Sequence, residues 1–387
     1  APGQQKTFTF IVTAPSTAGT YNFQWRMVQD GVQWFGDLTP NVAVTVIPLQ
    51  STPPASDVRI YFGVYTGGVS SGLMPPTVEL AQFESDTGKN ASILGFAAWW
   101  FDTFAWGDFN TLFKGWADNV RANGSIPLIL WMPFNPYRSD GTAIQNTDPD
   151  YPAQIKKYSS RNIAAGNSDA YIRLWARQIK EWGHPIILRT MHELNGTGSL
   201  AAVADIPYGE AWYAKLYDVD GSPINEPQDS INAWRHIVDI FRAEGVTNVT
   251  WVWSVLSWPS ASFGGNNTIP MSSIYPGDGY VDWIGIECYN FSAPWQQCYG
   301  SNVSGAYLEA SALSASKPMM MAEMGSREDP GDPIAKAEWI KSALALDRVQ
   351  SIPNIYPRVR GIFWWNSGET WIESSIAAVA AFKEALA

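Results

Sequence analysis

From residue 58 onward the chain repeats one rhythm eight times: a short apolar run, then a longer stretch of helical periodicity. The apolar runs are RIYFGVYTG, SILGFAAWW, IPLILWMPF, PIILRTMHE, NVTWVWSVL, VDWIGIECYN, KPMMMAEMG and RGIFWWNS. Apolar on both faces, they read as strands covered on both sides. Between them DFNTLFKGWADNVRANG, SDAYIRLWARQIKEWG, DSINAWRHIVDIFRAEG and DPIAKAEWIKSALALDRV read as helices. Several open on Asp or Ser and close on Gly, which cap free N–H groups at a helix start and take left-handed backbone at its end. SSIAAVAAFKEALA ends the chain as an eighth helix. Parallel strands need such crossovers, and eight of them predict an α/β fold, a closed (β/α)8 TIM barrel. The rival is an open doubly wound sheet, but no Gly-rich phosphate turn follows the first strand.

Residues 1–47 have a different rhythm. KTFTFIVTA and YNFQWRMV alternate, PSTAGT and QDG turn, and NVAVTVIP closes the segment. Four short strands are few for a self-sufficient sandwich, so this is expected to be a small β-sandwich-like appendage. PLQSTPPASD, residues 48–57, is Pro- and Ser-rich and reads as a linker. The expected organisation is thus a β domain at 1–47, a linker at 48–57 and a barrel at 58–387.

Composition excludes several function classes. The net charge of −11 disfavours nucleic acid, which wants a basic face. Apolar runs stay short of the roughly 18 residues a membrane span needs. Only three histidines are present, with no CxxC or HExxH, so neither a metal centre nor a cofactor is expected. Cys288 and Cys298 are either two buried thiols or a local disulfide, and a bridge would fit an exported protein. The 20 tryptophans, with 16 Tyr and 17 Phe, exceed what a core alone requires. Pyranose rings stack on aromatic faces, so a polysaccharide is the expected partner of a secreted monomer.

Chemistry in a barrel sits at the C-terminal strand ends. The fourth strand ends in RTMHELNG and the seventh in MAEMG. Period two puts Ile187, Arg189, Met191 and Glu193 on one side of the fourth, and Met319, Met321 and Glu323 on one side of the seventh. Each strand therefore delivers one Glu to the barrel mouth. Two carboxylates across a groove are the minimum for glycoside cleavage: one protonates the leaving oxygen, the other attacks the anomeric carbon or activates water. Glu287, in phase with Tyr289 on the sixth strand, is a rival carboxylate. Only one of Trp364 and Trp365 can face the mouth, and Trp365 lies later in its strand. Trp99, Trp100, Trp131, Trp258 and Trp295 also lie at or after strand ends; of these Trp131 is taken as a groove residue.

RTMHELNG, FGVY, DWIGIECYN and MAEMG together resemble glycoside hydrolase family 26 of clan A over residues 58–387. The resemblance implies that Glu193 is the acid/base and Glu323 the nucleophile of a retaining hydrolase that forms a covalent glycosyl-enzyme. It implies that Arg189 bonds the nucleophile, that Tyr289 donates to it, and that Trp365 is the stacking floor. His192 would contact the sugar or the carboxylate network near the cleavage point, and Asn195 would either touch the sugar or form a turn. The implied activity is endo-cleavage of a β-linked polysaccharide, first β-1,4-mannan, then mixed-linkage β-glucan or β-1,3-xylan. A barrel that only binds polysaccharide and a metal-dependent hydrolase are the alternatives. Two places depart from the mannanase pattern: TGSLAAVADIPYGEAWY follows the motif, and WMPFNPYR ends strand three without a His. The long segment 135–162 is expected to wall a polymer groove. The first residues, APGQQ to QWFGD, resemble the last half of the Trp-rich immunoglobulin-like domain of the neighbour-of-BRCA-one receptor, with Trp25 and Trp34 as the telling positions.

Overall fold

The computed structural model describes residues 19–46, 60–66, 77–105, 107–201, 210–257, 268–290, 303–345 and 351–387. The chain divides into two compact units, Ala1–Pro53 and Pro54–Ala387. In the first unit Gly19–Phe23 pairs antiparallel with Val42–Val46, and Met27–Gln29 with Gln33–Phe35. YNFQWRMV is therefore two strands, broken at 24–26, where the Trp25 N–H donates to Thr39 Oγ1. Trp25 is 42% and Trp34 62% exposed, so these two rings build no core among the described residues. KTFTFIVTA and the stretch 48–57 lie outside the described residues.

In the second unit all eight expected strands form. They are β1 (Tyr61–Thr66), β2 (Ile93–Trp99), β3 (Ile126–Met132), β4 (Ile186–Thr190), β5 (Val249–Leu256), β6 (Trp283–Asn290), β7 (Met319–Ser326) and β8 (Val359–Asn366). They pair in parallel, each with its neighbour in sequence, and β8 pairs with β1 to close the barrel. The crossovers include α1 (Thr77–Thr87), α2 (Lys114–Ala122), α3 (Asp169–Trp182), α4 (Pro227–Ala243), α5 (Val303–Leu313) and α6 (Ala335–Leu344), and α7 (Ile376–Leu386) follows β8. Gly183 ends α3 at φ +73°, and Ser375 Oγ accepts from Ala378 N at the start of α7, as the capping pattern predicts. After β5 the described residues before β6 hold only short 3-10 turns.

Alternation along the strands divides two apolar layers. Phe62 and Trp364 point outward, Phe62 onto Phe83 of α1 and Trp364 onto Trp339 of α6 and Phe382 of α7. Phe363 points inward and fills the space left by Gly63 and Gly95, whose Cβ atoms would lie 2.5 and 2.2 Å from its ring. The stretch 135–162 is less open than its length suggests. Tyr151–Lys157 and Ser160–Ala164 are helical, and Arg138 clamps Asp148 and Asp150 at 2.7 Å each.

Candidate active site

The two strand-end glutamates reach the mouth by different backbone devices, and neither is simple alternation. Strand β4 stops at Thr190, and Met191 and Glu193 follow with φ of +49° and +53°. That left-handed backbone is disfavoured for residues with a Cβ and persists only where surroundings enforce it. Here the Glu193 N–H donates to Glu287 Oε1 at 3.3 Å, and the Gly196 N–H closes back on Glu193 O at 2.9 Å. On β7 the expected phase is wrong below the site. Met320 and Ala322 face inward, Met320 near Gly361 and Ala322 near Gly285. The pairing then slips by one residue, from Ile286–Met321 to Glu287–Glu323. This bulge turns Glu323 inward; uninterrupted alternation would leave it on the outer face with Met319 and Met321.

Arg189 is fully buried at the centre of the site. Its Nε donates to Ser254 Oγ at 2.8 Å, Nη1 donates to Glu323 Oε1 at 2.6 Å, and Nη2 lies 2.5 Å from Glu287 Oε1. Tyr289 donates its hydroxyl to the other Glu323 oxygen, Oε2. Both oxygens of Glu323 are thus held by donors. Glu193 is joined to this network through Glu287, and its Oε2 accepts a 3.4 Å bond from the Tyr213 hydroxyl.

The electrostatics separate the three carboxyls. Burial pushes Glu193 well above the usual carboxylate range, and Glu287, Glu323 and Glu210 push it further. Burial also raises Glu323, to about 7, against the pull of Arg189 and the Tyr289 hydroxyl. Burial raises Glu287 too, but Arg189, His192 and the Ser254 hydroxyl together outweigh it and hold that carboxyl below its ordinary value. Both carboxyls are raised, but Glu323 is in bonding contact with Arg189 whereas Glu193 has no cation in bonding contact among the described residues, which leaves Glu193 as the proton donor. Burial and Arg189 push His192 down to about 4, so its ring is neutral near pH 7. Among the described residues its Nδ1 has no hydrogen-bond partner.

Residues 87–332 match the family model described as Glycosyl hydrolase family 26. The chain belongs to glycosyl hydrolase family 26. It is 32% identical over 328 residues to Endoglucanase H of Acetivibrio thermocellus, covering 82% of this chain and 30% of that protein. The chain thus spans less than a third of the length of the curated relative it matches. Among solved structures it resembles the YdhT protein of Bacillus subtilis, with a TM-score of 0.53, 20% identity and coverage of 87% of this chain and 88% of that one. It also resembles the β-mannanase BoMan26A of Bacteroides ovatus, with a TM-score of 0.52, 16% identity and coverage of 87% and 90%. At these identities the structures speak for the fold alone.

In this family 26 chain the other expected site residues divide into two sets. Trp365 is half-buried at the mouth, its ring stacked on Tyr65 with centroids 3.7 Å apart and planes 4° from parallel. Trp364 points outward, as described above. His192 packs against Trp212, ring centroids 5.2 Å apart, and its carbonyl accepts from Trp212 Nε1 at 2.6 Å. Trp131 and Asn195 do not line a groove. Trp131 is fully buried on the outer face of β3, against Trp100, Trp175 of α3 and Phe241 of α4. Period two assigns it there, because Leu130 and Arg189 are the paired residues with the inward position. Asn195 is 1% exposed, and its amide bonds both backbone groups of Leu256: Nδ2 donates to the carbonyl at 3.1 Å and Oδ1 accepts from the N–H at 2.8 Å. It braces the end of β4 against the end of β5. Trp100 is buried outward beside Trp131, Trp99 packs edge-on to Phe134, and Trp258 and Trp295 lie outside the described residues.

Four contributors escape sequence reasoning. Ser254 is a small hydroxyl near the mouth end of an apolar strand, a usable signal. Glu210, Trp212 and Tyr213 lie well beyond the motif in a stretch without periodicity, which gives none. Among the described residues His192, Glu193 and Glu210 bring three ligand-type atoms within 4.8 Å of one another. Cys288 on β6 is disulfide-bonded; Cys298 lies outside the described residues.

Proposed function

We propose that the protein is a secreted, retaining endo-glycanase that hydrolyses a β-linked polysaccharide. One observation carries this reading: the buried carboxyl pair is unequal, with Glu323 held at both oxygens by Arg189 and Tyr289 and Glu193 left without a cation. Glu193, protonated, gives its proton to the glycosidic oxygen as the bond to the anomeric carbon breaks. Glu323 attacks that carbon and forms the glycosyl-enzyme. Glu193, now ionised, takes a proton from water, whose oxygen displaces Glu323 and restores both groups. Arg189 positions the nucleophile, and the Tyr65-backed Trp365 ring is the floor under the sugar. The neutral His192 ring offers its unpaired nitrogen to a sugar hydroxyl. The disulfide at Cys288 supports export to an oxidising compartment.

The backbone we put first is β-glucan. Two observations favour it: the 32% identical relative is named an endoglucanase, and the segment WMPFNPYR around the end of strand three has no His where mannanases of this family tend to carry one. Asn135 is itself fully buried and bonded to Thr103, so it is no substitute for that ligand. The RTMHELNG motif favours β-1,4-mannan as the second reading. Incubation with β-glucans, mannans and xylans, followed by product sizing and NMR of the first anomer released, tests both. A ladder of β-configured oligosaccharides is expected. Release of monomer alone, or of the inverted anomer, refutes the mechanism, and the best-cleaved backbone decides the substrate.

A further inference from the structure

The segment Glu210-Ala-Trp-Tyr213 is where the sequence departs from the family pattern after the motif, and the mechanism above leaves Glu210 without a role. We propose that Glu210 is a third carboxylate of the catalytic machinery, a positioning residue that stands beside the Glu193 carboxyl and maintains it as a proton donor. The inference rests on the assignment of Glu193 as the acid/base.

The geometry is built, not incidental. Glu210 is 1% exposed, and one of its oxygens lies within 4.8 Å of both a Glu193 oxygen and a His192 ring nitrogen. The segment that carries it is pinned on every side. Asn225 Nδ2 donates to the carbonyls of Ala211 and Tyr213 at 2.7 and 3.0 Å, and Ser160 Oγ donates to that of Trp212 at 2.9 Å. The Ala214 N–H donates to Leu194 O at 3.0 Å, and Lys215–Tyr217 then runs parallel to Thr197–Ser199. Both aromatic members of the segment address the motif. Trp212 packs on His192 and bonds its carbonyl, while Tyr213 reaches Glu193 Oε2. The motif answers with Gly196: a Cβ there would lie 2.6 Å from the Tyr213 ring. HELNG and EAWY are thus two halves of one interlocked unit around the acid.

Two buried carboxyls this close cannot both ionise cheaply, so the pair retains a proton. Among the described residues the charged and titratable groups around Glu193 are Arg189, His192, Glu210, Tyr213, Glu287, Glu323 and Tyr289. Arg189 is the cation among them, and both its terminal nitrogens already face Glu323 and Glu287. Among the described residues Tyr151, Tyr213, His192 and Glu193 stand around Glu210. Glu210 adds repulsion at the Glu193 carboxyl, in line with its raising effect there.

The test compares wild type, Glu210→Gln and Glu210→Asp in kcat/KM against pH. Two substrates are used: the best-cleaved polysaccharide and a dinitrophenyl β-glycoside, whose leaving group needs no proton. Loss of the charge in Glu210→Gln is expected to move the basic limb for polysaccharide down by about one to two pH units. At pH 7 polysaccharide cleavage should then fall roughly tenfold or more, and aryl glycoside cleavage far less. Glu210→Asp, which keeps the charge one methylene further back, should shift the limb in the same direction by less. It serves alone should the Gln variant not fold. An unmoved limb, or equal losses on both substrates, overturns the assignment. Wild type that cleaves nothing sinks the hydrolase reading and this inference with it; active wild type with an unmoved limb sinks only this one.

Discussion

The ends of β4 and β7 solve the same problem in opposite ways. Each must hold a carboxyl at the barrel mouth out of water. At β7 the backbone bulges, and the carboxyl it exposes meets Arg189 and Tyr289. At β4 the backbone turns left-handed, and the carboxyl it presents meets further carboxyls and a neutral ring. The contrast teaches how one low-dielectric site can run an acid and a nucleophile together: the same residue type is assigned its role by who its neighbours are. Glu287 completes the contrast. It lies between the two, is the most firmly ionised of the three, and ties the β4 turn to the β7 bulge through one Arg.

The largest test of that asymmetry removes each carboxyl in turn. Glu323→Ala is expected to reduce hydrolysis of every substrate to background, since no group remains to form the glycosyl-enzyme. Glu193→Ala should cost roughly 10²- to 10⁴-fold on polysaccharide but far less on the formation of glycosyl-enzyme from an aryl glycoside with a good leaving group. Burst kinetics on the aryl glycoside separate the two; matching behaviour in both variants would erase the division of roles.

Next in size is the link between the two ends. Arg189→Met leaves Glu287 and Glu323 buried without their cation, which costs about 3–5 kcal/mol of stability. A thermal melt near neutral pH should fall by many degrees, and the loss should shrink as the pH is lowered and the stranded carboxyls take up protons. A melt unchanged by pH would mean that the network does not hold the ends together.

A third comparison sharpens the difference between tryptophans at and behind the mouth. Trp131→Ala should cost about 3–5 kcal/mol of stability with KM for polysaccharide little changed. Trp365→Ala should raise KM by about tenfold, in keeping with the loss of one aromatic stacking face, and destabilise far less. Paired melts and steady-state kinetics read both, and the reverse pattern would return Trp131 to the groove.

The smallest effect is expected from Tyr289→Phe. Its hydroxyl lowers the pKa of Glu323, so its loss raises that pKa further above about 7. Glu323 must be ionised to attack, so the acidic limb of the pH–rate profile should move to higher pH by about one unit. A shift to lower pH, or none, would take Tyr289 out of the nucleophile's environment.

The sequence carried most of the fold. Eight apolar runs between capped helices leave a parallel barrel as the arrangement that covers both faces of every strand, and all eight strands form where the runs stand. The capping residues at Gly183 and Ser375 act through local backbone chemistry, which neighbours in sequence suffice to set. The motif RTMHELNG likewise identified the strand end that carries Arg189 and Glu193, because polar groups that terminate a buried strand need a reason to be there.

Tertiary structure decided where those side chains point and what surrounds them. Strict alternation put Glu323 in phase with Met319 and Met321; a one-residue slip against β6 reversed that, and a bulge is a property of two paired strands. Alternation is also what places Trp131 outside, yet which face is outside is known only once the barrel has closed. Asn195 was read as a sugar ligand until the end of β5 came within reach of its amide. Glu210, Trp212 and Tyr213 could not be assigned at all, because their partners lie across a fold boundary that no local periodicity records. Local interactions are written in the chain, whereas the raised pKa values of Glu193 and Glu323 arise from burial and from charges that only folding brings together.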